Sequence, residues 1–419
     1  MSEGKKNRNL SFIQETVKQK RFYQNRMVQR LLWSVASGVL FALAAVAVWA
    51  VAAPRISFVP ESSRVEKVTL PEPEEQPEQS SDEEEPPVYI MEQVSIELED
   101  YKKMYQQLMQ IGSQVEKSLV SVSAVTTDTD WFDETYTSQS SVSGLLVEDN
   151  GVELLVLTDY EKVKDGERLL ITFYDHTSAP AVLKKYDKNT GLAVLSVNLS
   201  DISESTREVI LYADIGSSKT LRSGEPVIAL GSPGGNYGSI LFGNLTSVSQ
   251  MAALYDGNYN VLTTDMARAR AGSGVLISWS GKIIGVIQDR CEVAGQNNTI
   301  QAYGISDIMG VIEHLSNSQD IVYMGVVGAD VTTAVSELEG IPIGVYVSEV
   351  ALESPAIEAG LQPGDIITSM SGQTVTNLKD VMAILMKCSN GQNIQVICQR
   401  LNKTVYQELE LSIDLKILE

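Results

Sequence analysis

At 419 residues the chain is too long for one average domain, and an apolar fraction of 43% is enough to build more than one core. A net charge of −22 argues against nucleic acid as a partner, because a phosphate backbone needs a basic footprint. Three cysteines (Cys291, Cys388, Cys398) make no disulfide framework and leave at least one thiol free; the only histidines, His176 and His314, have no second ligand at metal-binding spacing, so neither a metal nor another cofactor is expected.

The charge is uneven along the chain. Residues 1–30 hold eight Lys/Arg against Glu3 and Glu15, residues 31–53 hold no charge, and the remainder carries −28. Leu31 to Ala53 is a run of Leu, Val, Ala, Trp and Phe broken only by Ser34, Ser37 and Gly38. At about 1.5 Å per residue it crosses the roughly 30 Å hydrocarbon core. Trp33 and Trp49 sit near its ends, where indoles favour the interface. The positive-inside rule places the basic tail 1–30 in the cytoplasm and the acidic bulk outside, as a single-pass protein of the cell membrane. The rival is a cleaved signal peptide ending at Ala50-Val51-Ala52. Its basic region and its apolar run are both too long for that.

Residues 54–91 read as a linker. Pro71 to Pro87 contains eight acids, five prolines and no base, and such a stretch cannot bury enough apolar surface to order itself. From residue 92 to 119 apolar positions recur at helical spacing (Ile96, Leu98, Tyr101, Tyr105, Leu108, Ile111, Val115, Leu119), which predicts an amphipathic helix. From Val120 to Ile287 short runs of Val, Ile, Leu and Thr are broken by Gly, Asn and Asp turns, which predicts an all-β barrel or sandwich. A short helix, Ile305 to Ser316, closes this unit, with His314 read as a surface or helix-end residue. A second unit starts near Tyr323. Cys388 is placed on its helix and Cys398 in a strand, both as small core hydrophobes.

Four motifs carry a family resemblance. They are Leu154–Thr158 leading to Val163, Leu192-Ala193-Val194-Leu195, Ala229-Leu230-Gly231-Ser232-Pro233-Gly234-Gly235, and Thr264-Asp265 with Gly274 to Val286. In order and spacing they resemble the HtrA/Deg family of membrane-associated serine proteases. The second unit, with Ser354-Pro355-Ala356, Ala359-Gly360-Leu361, Gly364-Asp365-Ile366-Ile367, the Ser371-Gly372-Gln373 turn and a helix from Leu378 to Lys387, resembles the PDZ domain of that family. The resemblance implies a trypsin-like double β-barrel over 92–318 and an α+β PDZ domain over 319–419.

In that family three segments supply a histidine, an aspartate and a serine. The matching positions here read Glu161, Gly191 and Gly272. Acyl transfer needs a nucleophile, a base in reach and an oriented base. A glutamate with a pKa near 4.3 is far from an ideal base at neutrality, and a glycine orients nothing. A one-residue slip would put Ser273 at the nucleophile position, the one catalytic candidate left. Arg270 replaces the glycine that would supply an oxyanion-hole amide. Arg268 and Arg270 are read as facing solvent, with an anion site as the alternative.

A PDZ domain adds a peptide strand to a sheet edge and holds the terminal carboxylate on loop amides. The resemblance places that loop at Tyr323-Met324-Gly325-Val326 and the strand edge at Val326 and Val327. It places the facing helix wall at Leu378, Val381, Met382 and Leu385, with Met324 and Met382 suited to an adaptable pocket. The expected function is non-catalytic recognition of unfolded or C-terminal segments at the cell envelope, as a scaffold, sensor or regulator of protein quality control. The alternatives are an endopeptidase using Ser273, and a structural subunit joining an active homologue. The resemblance also implies homotrimers.

Overall fold

The computed structural model describes residues 98–129, 135–269, 272–291 and 298–418. The basic tail, the apolar run, the linker and Arg270 lie outside the described residues. No described helix is long and apolar enough to cross a membrane.

The first described element is helix α1 (Leu98–Val115), followed by a 3₁₀ turn and strand β1 (Leu119–Thr129). Only its second half buries the expected stripe: Leu108, Ile111 and Val115 pack on the core, whereas Leu98, Tyr101 and Tyr105 are exposed. The helix stops short of Leu119 because that residue already pairs with Leu145 in the sheet.

Strands β2 (Thr135–Asp149) and β3 (Glu153–Asp159), a one-turn helix α2 (Tyr160–Val163), then β4 (Arg168–Thr172), β5 (Ser178–Asp187) and β6 (Leu192–Asn198) complete the first barrel. It closes in the order β1-β2-β3-β6-β5-β4. Helix α3 (Glu204–Val209) leads across to β7 (Pro226–Ser232), β8 (Ser239–Leu254), β9 (Gly257–Ala267), β10 (Ser273–Ser278), β11 (Ile283–Ile287) and β12 (Thr299–Gly304). These close a second barrel, β10-β11-β12-β9-β8-β7.

The pleat sends alternate residues to opposite faces, and here both faces are dry. Leu154 and Val156 fill the first barrel, while Leu155 and Leu157 of the same strand fill the seam between barrels. In β7, Val227 and Ala229 fill the second barrel and Ile228 and Leu230 the seam. That double burial is why these strands read as continuous apolar runs. Helix α4 (Ile305–Ser316) lays Ile305, Ile308, Val311, Ile312 and Leu315 on the same seam cluster.

His314 is neither exposed nor idle. Its ring nitrogens lie 2.9 and 2.7 Å from the carbonyl oxygens of Gly310 and Met386, which joins α4 to the following domain. That domain runs β13 (Val322–Tyr323), β14 (Val326–Val331), α5 (Thr333–Glu339), β15 (Gly344–Val350), α6 (Pro355–Glu358), β16 (Ile366–Met370), β17 (Gln373–Thr374), α7 (Leu378–Leu385), β18 (Asn393–Asn402), β19 (Val405–Asp414) and β20 (Lys416–Ile417). Its main sheet is ordered β14-β15-β16-β18-β19, so β14 is an edge strand. Cys398 is buried in β18; Cys388 falls in the turn after α7, not in the helix, and neither of these two forms a disulfide.

Within this domain Arg400 grips the buried Asp365 through two hydrogen bonds of 2.7 Å and donates a third to Gly360 O at 2.8 Å. Arg400→Met would strand the carboxylate with the Gln362 N–H as its remaining donor. Losing one partner of a buried pair costs about 3–5 kcal/mol, so urea unfolding of the variant should show a loss of that order. An unchanged midpoint would contradict this role.

Candidate functional site

The two barrels bring three chain segments to one cleft. Strand β3 ends at Asp159, whose carboxylate accepts from the Glu161 N–H at 2.9 Å and caps α2. The turn from β5 to β6 carries Gly191, and β10 begins at Ser273. A fourth segment, Gln288-Asp289-Arg290 after β11, contacts the first two of them.

Glu161 is half-exposed and bridges two cations, Lys164 at 2.6 Å and Arg290 at 3.0 Å. The hydrogen bond from Lys164, and then that from Arg290, hold its carboxyl below the usual range. A carboxylate so held is a poor proton acceptor near neutrality. Lys162 pairs with Asp289 at 3.3 Å, and Arg268 pairs with the same carboxylate. The Arg268 side chain is only 5% exposed, so it does not face solvent as its sequence position suggested.

Gly191 has no room for a side chain. Its φ is +78°, and a Cβ there would meet Arg290 Cδ at 2.9 Å and Gln288 Nε2 at 3.1 Å. Its carbonyl accepts from Tyr160 N–H and Gln288 Nε2, both at 2.8 Å. At Gly272 a Cβ would lie 2.7 Å from Pro233 O. Ser273 is buried, and its hydroxyl accepts the Ser143 N–H at 3.0 Å. Ser143 Oγ in turn shares a hydrogen bond of 2.9 Å with Ser232 Oγ. Neither His176 nor His314 is hydrogen-bonded to Ser273; His176 sits in an exposed turn at φ 66°.

The second candidate site lies at the junction of the barrels and the following domain. Gly325, at φ +91°, turns the loop so that the N–H groups of Met324, Gly325 and Val326 converge. All three donate to one carboxylate, Asp256, at 2.6, 3.0 and 2.9 Å. Asp256 belongs to the two-residue turn between β8 and β9. Its own N–H donates to Val326 O at 2.6 Å. Burial pushes the Asp256 carboxyl up to about 6, against the pull of the three amides.

The other expected groove residues divide. Met324, Leu378, Val381 and Leu385 are packed in the PDZ core, so Met324 lines no open pocket. Met382 faces the barrels, with its sulfur 3.2 Å from where a Cβ on Gly257 would stand. Tyr323 packs its ring toward Tyr255, and Val327 O accepts from Ser348 Oγ. Residues absent from the sequence reading are Asp256, Gln288, Asp289 and Arg290. The Asp256-Gly257 pair signals a hairpin turn, but nothing local says what the turn reaches.

A trypsin-like double barrel followed by a PDZ domain is the class this geometry defines. The trypsin-like peptidase domain family matches residues 142–286, and the PDZ domain family matches 322–413. That pairing is the arrangement of the HtrA/Deg family, whose members the chain is similar to over about two thirds of its length. It is 27% identical over 295 residues to the serine protease Do-like HtrB of Bacillus subtilis (strain 168), covering 64% of this chain and 63% of that one. It is 28% identical over 295 residues to the serine protease Do-like HtrA of Lactococcus lactis subsp. cremoris, covering 65% and 71%. The match spans just under two thirds of the length of the Bacillus relative. The solved structure of the HtrA-type protease AlgW with decapeptide shares the fold, with a TM-score of 0.54 at 19% identity, over 74% of this chain and 99% of that one.

Two outcomes test this geometry. Gly191→Asp should lower the thermal midpoint, because the left-handed backbone and the Arg290 contact together cost about 1–3 kcal/mol; an unchanged or raised midpoint would contradict it. The second concerns pH. The folded-state pKa of Asp256 lies above its unfolded value, so its contribution to stability is full at acid pH and is lost as pH rises through about 6. Relative to Asp256→Asn, the native chain should lose stability between about pH 4.5 and about pH 7.5, by about 2 kcal/mol, in urea unfolding. A relative gain would reverse the assignment.

Proposed function

We propose that the chain is a membrane-anchored, non-catalytic member of the HtrA/Deg family, whose remaining activity is binding unfolded or C-terminal peptide segments through the PDZ domain. The observation that carries this reading is the state of the cleft. Where the family's serine proteases place histidine, aspartate and serine, this chain has Glu161, Gly191 and Gly272. The surroundings favour the same conclusion. Glu161 is ion-paired, Gly191 is closed off by Gln288 and Arg290, and the buried Ser273 hydroxyl accepts the Ser143 N–H with no histidine bonded to it among the described residues. A serine hydroxyl without a positioned base is a weak nucleophile. The relatives are named serine proteases, and their chemistry needs groups missing from these positions.

The binding half rests on the converging amides of Met324, Gly325 and Val326 beside β14, the edge strand of its sheet. This is the geometry that holds a chain end in strand addition. The charge-free run from Leu31 to Ala53, behind a basic tail, is the proposed membrane anchor of a protein whose bulk is extracytoplasmic. Its role would be that of a scaffold, sensor or regulator of proteolysis at the envelope.

The purified chain in detergent should not cleave casein, and Ser273→Ala should change nothing. Turnover that disappears in Ser273→Ala would contradict the reading. The native chain should stay with the membrane pellet after an alkaline carbonate wash, and a chain lacking residues 1–53 should not.

A further inference from the structure

The cradle that would take a peptide carboxylate is already filled from within. Three N–H groups of the 324–326 loop end on Asp256, and Asp256 returns its own N–H to Val326 O. Four hydrogen bonds to one residue reproduce what an incoming chain end makes: loop amides to the carboxylate, and a main-chain bond to the strand edge. Contact continues along that edge. Asn258 Nδ2 donates to Gly328 O at 3.4 Å, two residues further on in both segments.

The hairpin tip is also built to reach there. Asn189, in the β5–β6 turn, donates Nδ2 to Tyr255 O at 2.8 Å and accepts the Tyr255 N–H at 3.2 Å, which holds the turn from the barrel side. Gly257 leaves just enough space for the Met382 sulfur of α7. Asp256 itself sits in the left-handed region, at φ 59°, and is 5% exposed. A non-glycine residue in that conformation, with its charge buried, persists only where its surroundings over-determine it. The space left beside it is a cavity of about 30 Å³, lined by Tyr255, Asp256, Tyr323, Met382, Leu385 and Met386 among others. That admits a water or so and no second carboxylate. Peptide and Asp256 therefore exclude each other.

We propose that Asp256 is an internal stand-in for a peptide C-terminus: it holds the groove closed, and a partner ending in a free carboxylate enters by displacing the hairpin tip at residues 254–258. This rests on the peptide-binding reading above and adds its regulation. The groove is a competed site, and the barrel supplies the competitor. Affinity for a partner is reduced by the fraction of molecules in which the hairpin has lifted. A partner that binds also frees a segment of the barrel domain, so occupancy of the groove is reported at the barrel surface.

The test uses the full chain in detergent and a pool of peptides ending in an apolar residue with a free carboxylate, each matched by its C-terminal amide. Asp256→Ala should bind the carboxylate pool at least about tenfold more tightly than the native chain, with little binding of the amides by either. Equal measurable affinities would overturn the stand-in and leave the groove reading intact; binding by neither protein would overturn both. A measurement on the native chain guards against a misfolded variant. Saturating carboxylate peptide should speed amide hydrogen exchange at residues 254–258. Bound peptide with exchange there unchanged would overturn the proposal.

Discussion

Three backbone N–H groups aimed at one point are a demand for negative charge, and most of what is distinctive here follows from how that demand is met. Buried donors left without an acceptor are costly, and a carboxylate seated among them offsets that cost. In this chain the anion is a side chain from another domain. The Asp256 carboxylate therefore joins the PDZ domain to the second barrel, with His314 to Met386 O as a second stitch. The same contact occupies the feature a partner would need. Adhesion between domains and access to the groove are set by one group.

The barrel cleft shows a different economy of charge. Two adjacent sets of ion pairs occupy it, Glu161 with Lys164 and Arg290, and Asp289 with Lys162 and Arg268. Gly191 borders the first set through Arg290 and Gln288, which fill the space a side chain there would take. The β5–β6 turn links the two regions, with Gly191 against Arg290 at one end and Asn189 against the Tyr255 backbone at the other. That is adjacency in space, and it says which residues a coupling between cleft and groove would have to use.

Much of this architecture was legible in the chain. Continuous runs such as Leu154 to Leu157 and Val227 to Leu230 announce strands buried on both faces, and α4 lies at the bounds its periodicity suggests. What the sequence could not express is contact across long separations. Arg290 meets Glu161 from 129 residues away, and Asp256 meets the PDZ loop from about 70. Local pattern also could not sort α7, where Leu378 and Val381 turn into the domain core while Met382 turns toward the barrels. Arg268 looked solvent-facing for the same reason: its partner, Asp289, arrives from a different strand connection.

The most direct test of the whole account is a crystal structure of the chain with a bound peptide that ends in a free carboxylate. The account predicts that carboxylate on the amides of Met324, Gly325 and Val326, the peptide paired to the edge of β14, and Asp256 lifted away. A peptide lying instead across the barrel cleft within attacking distance of Ser273, with Asp256 still seated, would contradict it.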